Sequence, residues 1–209
     1  MTMRITGGMV SGRLLKVPKG LAVRPTPDLV KQAVFNSLGG RVVGARVLEL
    51  FAGSGALGLE CLSRGAAGVV AVEKASRHAA VIRQNLAQTG MPMGRLELRT
   101  QDVFPALAQL VAASRQFDLV LADPPFGEKN VGRRSTSLSQ ALLDNEDLPK
   151  LLSQAGLFVL GHTKRDTLTL TASWEEVKVL KHGDSMMWFL RPAAAPSADG
   201  VVPNPEAMK

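Results

Sequence analysis

The residues best suited to chemistry form a short turn, Asp123-Pro124-Pro125-Phe126, at the end of the apolar run Phe117-Asp118-Leu119-Val120-Leu121-Ala122. Two prolines in succession fix the backbone and remove two N–H donors, so the carbonyls there lack a local partner and can face a ligand. An acid, rigid acceptors and an aromatic ring suit a planar group that carries an exocyclic amine. Asp123 and the Pro124 carbonyl can each accept one N–H, while Phe126 stacks on the ring. An amine conjugated to its ring is a poor nucleophile, so positioning and hydrogen bonding must supply most of the help, and no metal is needed. The competing interpretation is a rigid loop that only terminates a strand.

A second constellation lies upstream. Gly53-Ser54-Gly55-Ala56-Leu57-Gly58 matches G-x-G-x-x-G between an apolar run and a helical pattern. Glycines there allow a tight turn and close approach of backbone to a ligand at a helix N-terminus. Glu73, one strand–helix–strand unit further on, can accept hydrogen bonds from both hydroxyls of a ribose. Alone, this is a dinucleotide-binding fingerprint. Glu49 argues against that, because a carboxylate inside a strand is costly unless it meets a cation or donors. A pyrophosphate would repel it, whereas S-adenosylmethionine brings an ammonium group; a carboxylate capping nearby backbone N–H groups is the alternative. Asp102, after the third strand, can accept from an adenine amino group.

These residues need elements to hold them. Short apolar runs at 46–51, 69–73, 95–99, 117–122 and 157–161 read as strands. Helical patterns near 56–64, 75–89, 103–113 and 138–154 alternate with them, which implies an α/β fold with a doubly wound, mostly parallel sheet. The stretch 175–192 reads as a hairpin turning at His182-Gly183-Asp184, closing the sheet with an antiparallel strand. Residues 4–24, broken by Gly7-Gly8, Gly12, Pro18 and Gly20, suit a small ribbon. Thr26 then caps a helix with Pro27 in its first position. Val30, Ala33, Val34 and Leu38 form that helix's apolar stripe, and Gly39-Gly40 stop it. The expected organisation is a basic hairpin-and-helix extension over 1–45, a Rossmann-like domain over 46–192, and a disordered tail over 193–209.

At 209 residues, 45% hydrophobic and 21% charged, the chain can bury a real core. The formal charge of +7 is unevenly placed. Residues 1–46 hold Arg4, Arg13, Lys16, Lys19, Arg24, Lys31, Arg41 and Arg46 against Asp28 alone, and the remainder is balanced. Such clustering points to a polyanion, with a solvated terminal segment as the alternative. Arg4, Arg13, Lys16 and Lys19 are candidate phosphate contacts. Lys129, Arg133 and Arg134, in the stretch Gly127–Ser137, suit either a substrate lid or a solvated loop. A base within a duplex cannot reach such a site and must be unstacked or single-stranded. Cys61, the one cysteine, excludes an internal disulfide and lies in an apolar pattern expected to bury it. His78, His162 and His182 lack metal-ligand spacing; only His162 falls near the expected site. No signal-peptide core or membrane-length apolar run is present in the sequence, so a cytoplasmic protein is expected.

The segments ITGGMVSGR, RPTPDLVKQAVFNSL, ELFAGSGALGLECLSRGA, VVAVEK, Asn85-Leu86 and FDLVLADPPF together resemble the bacterial 16S ribosomal RNA guanine-N2 methyltransferases of the RsmD type. The resemblance spans about residues 3–191. Arg24-Pro25-Thr26-Pro27, Phe35-Asn36 and FAGSGALGLE make it specific, since DPPF alone also occurs in adenine and glutamine methyltransferases. It implies a class I S-adenosylmethionine-dependent fold with a seven-stranded sheet. It also implies S-adenosylmethionine as methyl donor and a guanine amine of 16S rRNA in an assembling small subunit as target; a monomer is expected, though not on the strength of the resemblance. Arg24, Pro25 and Thr26 would lie beside the cofactor. The cofactor set becomes Arg24, Thr26, Glu49, Phe51, Gly53, Gly55, Glu73, Lys74, Asp102, Val103 and Asp123. Two features depart from the family pattern: Gly161-His162 stands where many relatives carry Glu, and the segment after Phe126 is long and basic. An adenine-N6 methyltransferase of DNA or RNA, a non-catalytic RNA-binding assembly factor and a nicotinamide-dependent oxidoreductase are the alternatives.

Overall fold

Strands buried on both faces require unbroken apolar runs, and side chains alternate between the two faces along each strand. The computed structural model describes residues 3–18, 26–127, 129–130 and 133–194. In chain order these form β1 (Met3–Arg4), β2 (Leu14–Leu15), α1 (Asp28–Leu38), β3 (Arg46–Leu50), α2 (Ala56–Ser63), β4 (Gly68–Val72) and α3 (Ser76–Thr89). There follow β5 (Leu96–Arg99), α4 (Val103–Ala112), β6 (Phe117–Ala122), α5 (Leu138–Leu143), β7 (Leu152–Thr163), β8 (Trp174–His182) and β9 (Ser185–Pro192).

Seven strands form one sheet in the order β5-β4-β3-β6-β7-β9-β8. β5, β4, β3, β6 and β7 run parallel, and β9 is antiparallel to both its neighbours. The winding direction reverses between β3 and β6, and at such a switch point ligands bind beyond the carboxyl ends of the strands. Alternation along β3 feeds two cores. Val47 joins Leu59, Ile82 and Leu86 from α2 and α3 on one face. Leu48 and Leu50 join Leu107, Leu110 and Leu142 from α4 and α5 on the other.

The N-terminal ribbon, β1 paired with β2, and α1 bury Met3, Ile5, Leu15, Val34 and Phe35 in the first of these cores. Charge pairing reinforces the contact. Lys31 is wholly buried, with its ammonium 3.2 Å from Asp28, 3.9 Å from Glu60 and hydrogen-bonded to the Arg4 carbonyl. Glu60 also accepts from the Thr6 N–H (2.7 Å), the Thr6 hydroxyl (2.9 Å) and Arg64 (2.8 Å). Asn85 of α3, itself buried, exchanges two hydrogen bonds with the Lys16 backbone and donates to the Ser54 carbonyl at 2.9 Å. It thereby joins ribbon and glycine loop.

The structure corrects two expectations. Thr26 does not cap α1: Pro27 occupies the cap position without a side-chain bond, and the Thr26 hydroxyl donates to Asp123 instead. The helix expected over 138–154 stops at Leu143, because the Asn145 side chain captures the N–H groups of Asp147 and Leu148. A 3₁₀ turn at Pro149–Leu151 follows, and β7 starts at Leu152 with a break in its register against β6. The hairpin forms as read, with Gly183 at φ 58° in its turn. Cys61 is buried, and burial pushes its thiol well above the ordinary range, with Glu49 and Glu60 adding to the effect. The tail expectation falls almost wholly on residues 195–209, outside the described residues, as do Lys19, Arg24 and Pro25.

Candidate functional site

A cleft of about 670 Å³ opens at the carboxyl ends of β3, β4 and β6. The chain leaves β3 through Phe51, whose φ of 55° is in the region that glycine favours, and turns through Gly53 (φ 56°) and Gly55 (φ 74°) into α2. A bulky residue held in that conformation marks stored backbone strain, common at binding sites. Gly58 serves proximity instead: a Cβ there would lie 2.5 Å from Glu49 Oε2 and 2.9 Å from Val69.

Glu49 lines the cleft and is buried. Its Oε1 accepts from the Leu57 N–H at 3.1 Å, and Oε2 makes no hydrogen bond. Burial pushes its pKa up to about 8, opposed by the nearby Gly58 and Leu57 N–H groups and assisted by the charge of Glu73. A buried carboxyl with one unpartnered oxygen fits a cation or a donor supplied by a ligand. Glu73 accepts from the Gly53 and Ala75 N–H groups, each at 2.8 Å, and lies 3.3 Å from His78 Nδ1. It therefore organises the glycine loop, and ribose contacts would use its remaining lone pairs. Asp102 caps α4 through the Phe104 N–H (3.1 Å) and pairs with Lys74 at 3.0 Å. The Lys74 hydrogen bond holds the Asp102 carboxyl below its usual range, aided by the Phe104 N–H against partial burial.

Asp123 projects at the end of β6. Its Oδ2 accepts from the Thr26 hydroxyl, and its Oδ1 lies where a Cβ on Gly161 would stand 2.3 Å away. Asp123, Pro125 and the half-exposed Phe126 line the cleft; Pro124 is buried and is not among the lining residues. Thr26, Asp123 and Phe126 also border a crevice of only about 10 Å³, with His162, Ser185, Met186 and Met187 in its walls. Burial lowers the His162 pKa, against the Thr163 carbonyl and the Asp166 charge, so the imidazole is favoured in its neutral form. Its ring is tilted against Trp188 with centroids 5.5 Å apart.

The structure thus gathers Thr26, Glu49, Phe51, Gly53, Glu73, Lys74, Asp102, Val103, Asp123, Pro125 and Phe126 around one cleft. Gly55 shapes the turn without lining it. Sequence reasoning missed Met3, His78, Phe104 and Leu138 as cleft residues. Phe104 carried a signal, two positions beyond Asp102, and His78 lies one helical turn after Glu73. Met3 and Leu138 come from remote segments and carried none.

The basic candidates are exposed but engaged. Arg4 pairs with Asp28 at 3.1 Å, the Lys16 ammonium donates to Gln84 at 3.3 Å, and Arg134 pairs with Asp144 at 2.6 Å. Arg13 and Arg133 are exposed as well. Within the stretch after Phe126, Asn130 exchanges two hydrogen bonds with the Thr167 backbone (2.8 and 3.0 Å), which ties the described part of this segment to the loop after β7.

The family model "Conserved hypothetical protein 95" matches residues 3–191. The "Ribosomal RNA small subunit methyltransferase D" of Escherichia coli (strain K12) is 34% identical over 171 residues, 82% of this chain and 80% of that protein. Among solved structures, the Thermus thermophilus hypothetical protein TTHA0928 superposes with a TM-score of 0.74 at 29% identity, covering 90% of this chain and 99% of its own. SMU.776, solved in complex with SAH, shares the fold at a TM-score of 0.61 and 16% identity, over 78% of this chain and 48% of its own.

Proposed function

The chain belongs to the Conserved hypothetical protein 95 family, and on that premise we propose that it methylates 16S ribosomal RNA at the exocyclic N2 amine of a guanine, with S-adenosylmethionine as donor. The observation that carries this reading is the Asp123–Phe126 turn in the wall of an acid-lined cleft of about 670 Å³, with Glu49, Glu73 and Asp102 lining the same cleft. The donor supplies an electrophilic methyl group on a sulfonium centre. The chain's own residues then have three tasks.

The first is to hold the donor. The unpartnered Glu49 oxygen suits its ammonium, the Gly53 loop its close approach, Glu73 its ribose hydroxyls, and Asp102 with Val103 its adenine. Phe51 and Lys74 line the walls, Gly55 shapes the turn beneath them, and Arg24 belongs to the same set by family pattern. The second is to present the acceptor. Asp123 and the Pro124 carbonyl accept the two amine hydrogens while Phe126 stacks on the base, which directs the nitrogen lone pair at the methyl carbon. As the new N–C bond forms, the donor's S–CH3 bond would break with its electron pair left on sulfur as a neutral thioether, and the surplus proton on nitrogen passes toward Asp123 and solvent. The third is to hold the RNA. Arg4, Arg13, Lys16, Lys19, Arg133 and Arg134 take phosphates, with residues 1–45 as an RNA-facing extension on a catalytic unit over 46–192. The same reading takes the reaction to be cytoplasmic, on an assembling small subunit, with a monomer as the working form.

The test is methyl transfer from labelled S-adenosylmethionine into small-subunit RNA and particles, followed by digestion to nucleosides. Label in N2-methylguanosine is the expected result. Label confined to N6-methyladenosine, or none with the cofactor bound, would overturn it.

A further inference from the structure

We propose that Thr26 and Gly161 are positioning residues for the Asp123 carboxylate, so that Thr26 serves the acceptor side of the reaction rather than cofactor binding. The proposal rests on the function proposed above for Asp123.

Gly161 has no conformational need to be glycine. It sits inside β7, paired with Met187 of β9, and its φ lies outside the left-handed region. Glycine within a strand weakens it, and usually marks a close approach. Here the approach is specific. The three atoms nearest to a Cβ built on Gly161 all belong to Asp123: Oδ1 at 2.3 Å, Cγ at 3.0 Å and Cα at 3.4 Å. The register explains it, since Ala122 pairs with Leu160 and the next position brings Asp123 beside Gly161. A methyl group at 161 would force the carboxylate to swing away.

Thr26 makes a parallel sacrifice. A threonine at the start of a helix ordinarily caps it, its hydroxyl accepting from a free N–H of the first turn. In this chain the cap position falls on Pro27, which has no side chain able to cap, and the Thr26 hydroxyl crosses to Asp123 Oδ2. One oxygen of the carboxylate is thus held by a hydroxyl from the first segment, and the other lies in space left by a missing side chain on β7. A carboxylate that must accept a hydrogen from one particular amine benefits from a hydroxyl that holds one oxygen and from room for the other, because a misplacement of about 1 Å can cost on the order of a hundredfold in rate. Thr26, Asp123 and Phe126 also line the cleft itself, so a shift of the carboxylate is felt at the wall where the acceptor is presented.

The test compares wild type with Thr26→Val, Thr26→Ser and Gly161→Ala, reading kcat and KM with RNA and, separately, the Kd for S-adenosylmethionine by calorimetry. Thr26→Val should lower kcat by roughly ten- to a hundredfold with the cofactor Kd within about twofold of wild type, and Thr26→Ser should recover most of the loss. Gly161→Ala should lower kcat similarly with cofactor binding intact; if it fails to fold, the Val and Ser pair decides. A Thr26→Val variant whose cofactor affinity falls as far as its turnover, or a folded Gly161→Ala variant with wild-type kcat, would overturn the proposal. A wild-type protein inactive on every ribosomal substrate would instead overturn the functional reading, which keeps the two failures distinct.

Discussion

Glu49 shows how much chemistry one buried side chain can couple to folding. Its folded pKa of about 8 stands above the ordinary 4.5. Between those values the unfolded chain has lost the proton and the folded chain keeps it, so the folded state binds more protons. Stability of the ligand-free protein therefore falls as pH rises through that interval. A Glu49→Gln variant should lose this component of the slope, which thermal denaturation between pH 5 and pH 9 would show as a gap in the variant's favour that widens with pH. Cofactor binding has the opposite requirement. An ammonium facing Oε2 favours the ionised form, so binding at neutral pH should release a proton from this site, and affinity should improve as pH rises toward 8. Calorimetry in two buffers of different ionisation heat would detect the release, with Glu49→Gln as the subtraction that removes the ligand's own titration. Equal proton counts for the two proteins would contradict the contact. The sequence disclosed Glu49 because a carboxylate inside an apolar strand is conspicuous. Gly161 was visible only as a departure from a family pattern, since the reason for it lies on β6.

Among the elements, α3 carries a link that spacing could not reveal. Asn85 connects the ribbon at Lys16 with the glycine loop at Ser54, three hydrogen bonds from one side chain. Replacing it by alanine leaves the buried bond to the Ser54 carbonyl unmade, at about 1–3 kcal/mol, and releases the part-buried Lys16 N–H and carbonyl at less. For a chain of this size, a loss of about 2 kcal/mol lowers Tm by roughly 4–8 °C. Asn85→Ala should also weaken cofactor binding, because the loop loses its brace. A lower Tm with unchanged cofactor affinity would restrict the clamp to the ribbon. The parallel strands and their helices were legible because each announces itself in its own apolar run. The end of α5 was not: Asn145 and Pro149 divert a helical pattern that continues on paper to 154, through side-chain capture of backbone N–H groups and a missing donor. Thr26 was misassigned for a related reason. Its hydroxyl has two possible partners, and the one it takes is distant in sequence.

For the whole molecule, the basic excess of the first 46 residues is smaller at the surface than on paper. Lys31 is consumed inside, Arg46 pairs with Asp118 at 3.0 Å and Arg4 with Asp28 at 3.1 Å. The exposed Arg13 and Lys16 remain on the ribbon. Reversing both charges should weaken RNA binding and flatten its dependence on salt, since each lost phosphate contact on a single strand removes about 0.7 from the slope of log affinity against log salt. An unchanged slope in filter binding or anisotropy would place the RNA elsewhere.

Cys61 sits on α2, the helix that rises from the glycine loop, with no exposed surface and a thiol held in its protonated, unreactive form. A thiol reagent can reach it only when α2 lifts from the sheet. Its rate of capture is therefore a clock for how often the floor of the cleft opens, ticking more slowly whenever a bound ligand holds that floor shut.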